Sequence, residues 1–243
     1  MAPRYKHVIV VGASAGIGAE LVLQLAASGS KVAALARREE PLKRLAAAHP
    51  GLILPIVHDV TDFDSVPAVF ESVAQQLGGC DLLIYSSGVM PTVGPAEFDF
   101  AKDRQMFEVN VLGGIAWLDA VAERFQSTGS GTIVMIGSVA GDRGRRGQPG
   151  YNASKAAVAA FAEALRNRLS GKGVTVTTVK PGPVQTELVA ALGFKNAMPV
   201  ADAAARIIRL APSGREVYLK FSHRVIFAVI RLMPSWIFRH IPI

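Results

Sequence analysis

The chain has 243 residues, half of them hydrophobic, and a formal net charge of +7 at pH 7. That length can bury a large core as one α/β domain, and the apolar content excludes a disordered chain. One cysteine, Cys80, excludes an internal disulfide and suits a reducing, cytoplasmic setting, while the five histidines lack metal-ligand spacing, so no metal site is expected.

The opening residues, MAPRYKHVIVVG, run straight into a first strand at 7–12, with no apolar leader, so no signal peptide is expected. Further apolar β-type runs fall at 31–36, 52–57, 81–86, 131–137, 174–179 and 215–219. Helical stretches separate them at 17–28, 39–48, 64–77, 99–126, 152–170 and 201–211. Several strands are apolar at successive positions, as in strands covered by helices on both faces. The alternation predicts a single doubly wound Rossmann-type α/β domain over 1–243, with a mostly parallel seven-stranded sheet. Residues 220–243 read as a hydrophobic and basic helical extension of it.

The stretch VVGASAGIGAE follows the first strand and opens a helix, with glycines at Gly12, Gly16 and Gly18. The first suits a tight turn out of the strand, the second a close backbone approach to a pyrophosphate, and the third close packing of helix on strand. At the end of the second strand an acid would hold the ribose of NAD. The sequence instead places Ala36 there, followed by Arg37 and Arg38, which suit the 2′-phosphate of NADP(H). Further on, Tyr151 and Lys155 stand four apart at the start of an alanine-rich helix and so share a face. An ammonium beside a phenol lowers the phenol pKa, which would make Tyr151 a proton donor and acceptor near neutral pH.

With these residues in place, the chain resembles the short-chain dehydrogenase/reductase family over about residues 6–220. GASAGIG looks like its cofactor loop, which adds Ser14 and Ile17 to the three glycines. HDVTD resembles the step beside the adenine and implicates Asp59 and Val60. FEVNVLGG carries Asn110, IGSVAG carries Ser138, and YNASK carries Tyr151 and Lys155. KPGPVQTEL resembles the loop that closes over the nicotinamide, with Pro181, Gly182, Val184 and Thr186 as cofactor contacts. The resemblance implies Tyr151 as acid/base and Lys155 as the group that lowers its pKa and holds the nicotinamide ribose. It further implies Ser138 on the substrate oxygen and Asn110 ordering the water of a proton relay. Where the family often has Asn-Ala-Gly after the fourth strand, this chain has Ser86, Ser87 and Gly88. Ser86 and Gly88 remain expected cofactor contacts, and the bond an asparagine would make to the neighbouring strand is in question.

Three segments bear on substrate and partners. Arg143, Arg145 and Arg146 lie between Ser138 and Tyr151, where they suit a phosphate or carboxylate, or form a solvated loop. Leu188, Leu192, Phe194 and Met198 fall where the family keeps a substrate lid and make that lid apolar. The tail, KFSHRVIFAVIRLMPSWIFRHIPI, is too short of uncharged residues to span a bilayer, and Pro234 should break its helix. Two readings stay open for it: a membrane surface contact, or packing over the cleft or a neighbouring subunit. Loop and tail are loosely similar to family members acting on lipid-linked keto sugars or keto lipids. The expected activity is NADP(H)-dependent hydride transfer between the nicotinamide and a carbonyl or secondary alcohol, in either direction, of a hydrophobic or lipid-borne substrate. The alternatives are a soluble 3-oxoacyl reductase and a non-catalytic NADP(H) sensor. No nucleic-acid module is present. Self-association as a homodimer or homotetramer is expected, with Ala153, Ala156, Ala157, Ala160 and Ala164 allowing close helix approach.

Overall fold

A computed structural model describes residues 3–94, 96–190 and 196–241, without the side chains of Leu188 and Ala190. Its strands are β1 (His7–Val11), β2 (Lys31–Ala36), β3 (Ile53–Val57), β4 (Leu82–Tyr85), β5 (Gly131–Ile136), β6 (Val174–Lys180) and β7 (Glu216–Tyr218). Between them run α1 (Gly16–Ala27), α2 (Glu39–Ala48), α3 (Val66–Leu77), α4 (Phe100–Phe107), α5 (Gly113–Thr128), α6 (Pro149–Arg168), α7 (Glu187–Ala190) and α8 (Val200–Leu210). After β7 come α9 (Phe221–Leu232) and α10 (Ser235–Phe238).

The strands form one sheet in the order β3-β2-β1-β4-β5-β6-β7, and every pairing is parallel. Side chains alternate across a strand, so each strand must supply two cores at once. On one face Val8, Val10, Val32, Ala34, Leu82 and Ile84 meet Leu21, Val22 and Leu25 of α1 and Ala203, Ala204 and Ile207 of α8. On the other, Ile9, Val11, Ala33, Leu35, Leu83 and Tyr85 meet α3, α5 and α6 through Phe70, Trp117, Val121, Val158 and Ala162. That double demand is why the strands read as unbroken apolar runs.

The chain winds outward from β1 to β3 and then back through β4 to β7. Loops leaving β1 and β4 therefore diverge and open a crevice at the carboxyl edge of the sheet. The helix expected over 99–126 is interrupted: Glu108–Leu112 forms a π-type turn between α4 and α5. Pro234 separates α9 from α10, as the sequence requires. Among the described residues no helix is long and apolar enough to cross a membrane.

Candidate active site

A cleft of about 490 Å³ opens along the carboxyl ends of β1, β2, β4, β5 and β6, within the size range of cofactor sites. Gly12 leaves β1 with φ of +92°, and a methyl group there would fall on the backbone of Ser87. A methyl at Gly18 would strike the Gly12 carbonyl, so Gly18 packs helix on strand and lies off the cleft wall. Ser14, Gly16 and Ile17 line the floor at the start of α1, where free N–H groups and the helix dipole favour an anion. Arg37 and Arg38 line the rim, both exposed. Arg38 donates to the Ser14 hydroxyl at 3.1 Å, bracing the end of β2 against the glycine loop.

Asp59 is displaced from its expected place. Its carboxylate accepts from the Thr61 amide at 3.0 Å and the Thr61 hydroxyl at 2.8 Å, and lies 3.7 Å from Arg37. It shapes the turn after β3, while Val60 and His58 form the wall. His58 was not foreseen. It is buried, which drives its pKa down, and its Nε2 accepts from Trp117 Nε1 at 3.3 Å. Ser86 and Gly88 line the cleft beyond β4, and the link to the neighbouring strand is carried by backbone, Ser86 N donating to Val11 O at 2.8 Å.

At the far end stand Ser138, Tyr151 and Lys155. Ser138 stands just beyond β5 and accepts from the Ala140 amide at 3.0 Å, starting a short 3₁₀ turn over Val139–Asp142. α6 begins one loop later, placing Tyr151 in its first turn and Lys155 one turn on. Gln148, just before the helix, holds a left-handed φ of +58°, uncommon for a residue with a side chain. Lys155 Nζ lies 5.8 Å from the Tyr151 ring centre and donates to the Ile136 carbonyl at 3.2 Å. Pro181, Gly182, Val184 and Thr186 complete the wall after β6.

The electrostatics correct one expectation. Burial raises the Tyr151 phenol pKa, and the Ser138 hydroxyl and the Arg145 guanidinium pull it back only in part. Lys155 is itself pushed down to about 8 by burial. A desolvated ammonium aimed at a backbone carbonyl does not dominate the phenol, so Tyr151 keeps its proton at neutral pH. Asn110 lies off the cleft wall. Its Oδ1 accepts from Val89 N at 2.7 Å, and its Nδ2 donates to Val89 O and to Ser154 Oγ, each at 3.0 Å.

A tyrosine, a lysine four residues on and a serine just beyond the neighbouring strand face one Gly-rich cleft in an all-parallel sheet. The family model described as short chain dehydrogenase matches residues 6–196. The chain belongs to that family. An uncharacterized oxidoreductase of Myxococcus xanthus is 36% identical over 193 residues, covering 78% of this chain and 76% of the relative. A 3-oxoacyl-[acyl-carrier-protein] reductase, FabG, of Salmonella typhimurium is 31% identical over 214 residues, covering 86% and 83%. Among solved structures, ElxO with NADP bound shares the fold at a TM-score of 0.82 and 22% identity, covering 91% of this chain and 99% of that one.

In this short-chain dehydrogenase two of the three loop arginines follow neither reading left open for them, a grip on a substrate anion or a solvated loop. Arg143 donates to the carbonyls of Ile230 at 3.1 Å, Arg231 at 3.1 Å and Met233 at 2.7 Å, closing the end of α9. Arg146 donates to the Arg239 carbonyl. Free carbonyls at a helix end are natural partners for guanidinium, and the tail brings them there. Only Arg145 turns toward Tyr151; its guanidinium lies 3.3 Å from Asn152 Oδ1, and its buried Nε has no partner among the described residues. The expected lid is partly set aside: Met198 is buried and bridges Val184, while Leu192, Phe194 and the Leu188 side chain lie outside the described residues. Val189 and Glu187 of α7 line the cleft.

The buried charges beside the site had no signal in the sequence. Asp142 lies 2.6 Å from Lys180, which is also 2.6 Å from Glu216, and Arg231 of α9 lies 3.3 Å from Glu216. Tyr218 donates to Asp142 at 2.9 Å. This network joins the turn after Ser138, the end of β6 before Pro181, β7 and the tail.

Proposed function

We propose that the protein is an NADPH-dependent reductase of a carbonyl carried on a hydrophobic, lipid-borne chain. The observation that carries this is the convergence of Ser138, Tyr151 and Lys155 at one end of a cleft whose other end offers Arg37 and Arg38. The cleft fits a dinucleotide: Gly12 leaves no side chain in the turn, and the α1 N-terminus presents open amides above it. Arg37 and Arg38, with no acid at Ala36, favour a 2′-phosphate. Lys155 is placed to hold the nicotinamide ribose, and Pro181, Gly182, Val184 and Thr186 the nicotinamide side. NADPH, when bound, supplies a hydride to the carbonyl carbon.

The protein supplies the proton and the field. Ser138 donates a hydrogen bond to the carbonyl oxygen, and Tyr151, protonated at neutral pH, gives that oxygen its proton as negative charge builds. Hydride on carbon and proton on oxygen make the secondary alcohol. The Lys155 ammonium favours the tyrosinate that remains until a proton returns from solvent. Ile136, Val89, Val109 and Val189 make an apolar wall that excludes water and suits an alkyl chain. Asn110 acts on this site through Val89 and is a positioning residue. We read self-association through the exposed residues Ala153, Ala156, Ala160 and Ala164 on α6, to be checked by light scattering of Ala160→Glu.

The test is NADPH consumption against ketones and 3-oxoacyl thioesters of increasing chain length, for the parent and Tyr151→Phe. Turnover should rise with chain length, and Tyr151→Phe should bind NADPH while losing turnover. Unchanged turnover in Tyr151→Phe would sink the assignment. The likeness to the 3-oxoacyl carrier-protein reductase favours a second reading, a soluble acyl-carrier reductase. In that case Arg145→Ala should raise KM for carrier-bound substrate far more than for a small thioester.

A further inference from the structure

We infer that the outer face of α9 and α10 docks on an anionic lipid bilayer and holds the mouth of the cleft against it. α9 has no buried residue, although eight of its twelve residues are hydrophobic in sequence (FSHRVIFAVIRL). His223, Phe227 and Ile230 turn inward along one stripe. Phe221, Val225, Val229 and Leu232 fall at helical spacing on the other side, with Leu232 86% exposed and Phe221 76%. Beyond Pro234, Trp236 extends the patch at 66% exposure. Large exposed apolar side chains thus recur along one side of α9 and past the proline, a grouping unlike the single exposed apolar residues of an ordinary soluble face.

Its charge selects the occupant. Residues 220–243 contain Lys220, Arg224, Arg231 and Arg239 and no Asp or Glu. Arg231 faces inward to Glu216 and Asp142, and Lys220 donates to the Asn196 carbonyl at 3.2 Å, which leaves the exposed Arg224 and Arg239 beside the apolar face. An apolar stripe with an aromatic and a wholly basic border matches the boundary between acyl chains and anionic headgroups. A second copy docked through the same face would bring the same cations against it and no acids.

The patch is fixed to the body. Arg143 binds three carbonyls at the end of α9 and the Ser235 hydroxyl at 3.2 Å, and its guanidinium stacks 4.7 Å above the Phe238 ring. At the other end of α9, His223 packs so tightly on Gly182 that a methyl group there would overlap the imidazole. The helix thus ties together the loop from Ser138 to Tyr151 and the loop after β6. Docking would set both walls of the reacting end beside the membrane, where a lipid-borne carbonyl enters without crossing water. That last step rests on the reductase reading; the docking does not.

Flotation of the full chain with vesicles of phosphatidylcholine, or of phosphatidylcholine and phosphatidylglycerol in equal parts, at low and high salt tests this. The chain has two tryptophans, and Trp117 is fully buried, so a vesicle-induced emission shift absent in Trp236→Phe reports the patch. The expected result is flotation with anionic vesicles that persists in high salt, with a blue shift of Trp236. Val225→Glu with Val229→Glu should abolish both while leaving solution mass and small-ketone turnover unchanged. No flotation, release by salt without an emission shift, or equal flotation on neutral vesicles overturns the inference. A lower solution mass of the double variant overturns it in favour of a second copy. If the parent reduces no carbonyl, the reductase reading fails, and flotation still decides the docking.

Discussion

Asn110 holds Val89 by both of its backbone groups, accepting from the amide at 2.7 Å and donating to the carbonyl at 3.0 Å. The same amide group reaches Ser154, between Tyr151 and Lys155 on α6, so the wall after β4 is locked to the catalytic helix. Asn110→Leu leaves these groups unpaired, at a cost of about 1–3 kcal/mol for each buried one. We expect a lower urea midpoint together with reduced turnover and a largely unchanged affinity for NADPH. An unchanged midpoint would show that Val89 finds other partners and that the lock carries no weight.

The nucleotide preference is predicted from two exposed cations. A charged hydrogen bond contributes about 1.5–3 kcal/mol, so Arg38→Ala should raise the NADPH KM by about tenfold to about a hundredfold. Arg37→Ala should act in the same direction, and neither should alter the KM for NADH. Initial rates with both nucleotides decide it. An equal loss with NADH would mean that Arg38 matters only through its brace on Ser14, which supports the glycine loop for either cofactor.

Much of this was legible in the sequence because a covered parallel strand leaves a run of apolar residues with little alternation, a mark that β1, β2, β4 and β5 carry plainly, whereas β6 (VTVTTVK) and the short β7 (EVY) do not. Tyr151 and Lys155 share a face because helical spacing alone requires it. The break in the 99–126 helix was not legible. It depends on tertiary anchors, Asn110 on Val89 and the Tyr85 hydroxyl on the Val109 carbonyl at 2.7 Å, which no local propensity encodes. π-type turns of this kind are frequent at functional sites. The arginine loop misled for a related reason. A guanidinium suits a substrate anion and a helix-end carbonyl equally, and only the fold places the end of α9 beside Arg143. The direction of the Tyr151 pKa failed because neighbour spacing is visible in a sequence and desolvation is not.

Asp142 offers a stability prediction. Its side chain is fully buried, 2.6 Å from Lys180, whose own side chain is 4% exposed. Breaking a buried pair from one side costs about 3–5 kcal/mol, because the remaining charge stays in the interior. Glu216 still faces Lys180, so Asp142→Ala should fall at about 3 kcal/mol, the lower end. Glu216→Ala, at a partly exposed position, should cost less. Chemical denaturation of both variants orders them, and the reverse order would mean that Glu216 carries the pair.

Lys155 gives the site a pH signature. Burial lowers its pKa from the ordinary 10.5 to about 8 in the folded protein. Between those values the unfolded chain holds a proton that the folded one has released, so stability rises with pH across that window. Below about pH 8 the fold carries the full cost of a buried ammonium. Lys155→Met removes that cost, so the variant should melt higher than the parent at pH 7 while losing turnover. The gain should shrink as pH climbs from 8 to 10.5 and vanish above it, where the parent lysine is neutral in both states. Thermal melts of the cofactor-free proteins across that range check the sign. A variant that melts lower than the parent at pH 7 would mean that the bond from Lys155 to the Ile136 carbonyl outweighs desolvation, and that the lysine stabilises the helix it sits on.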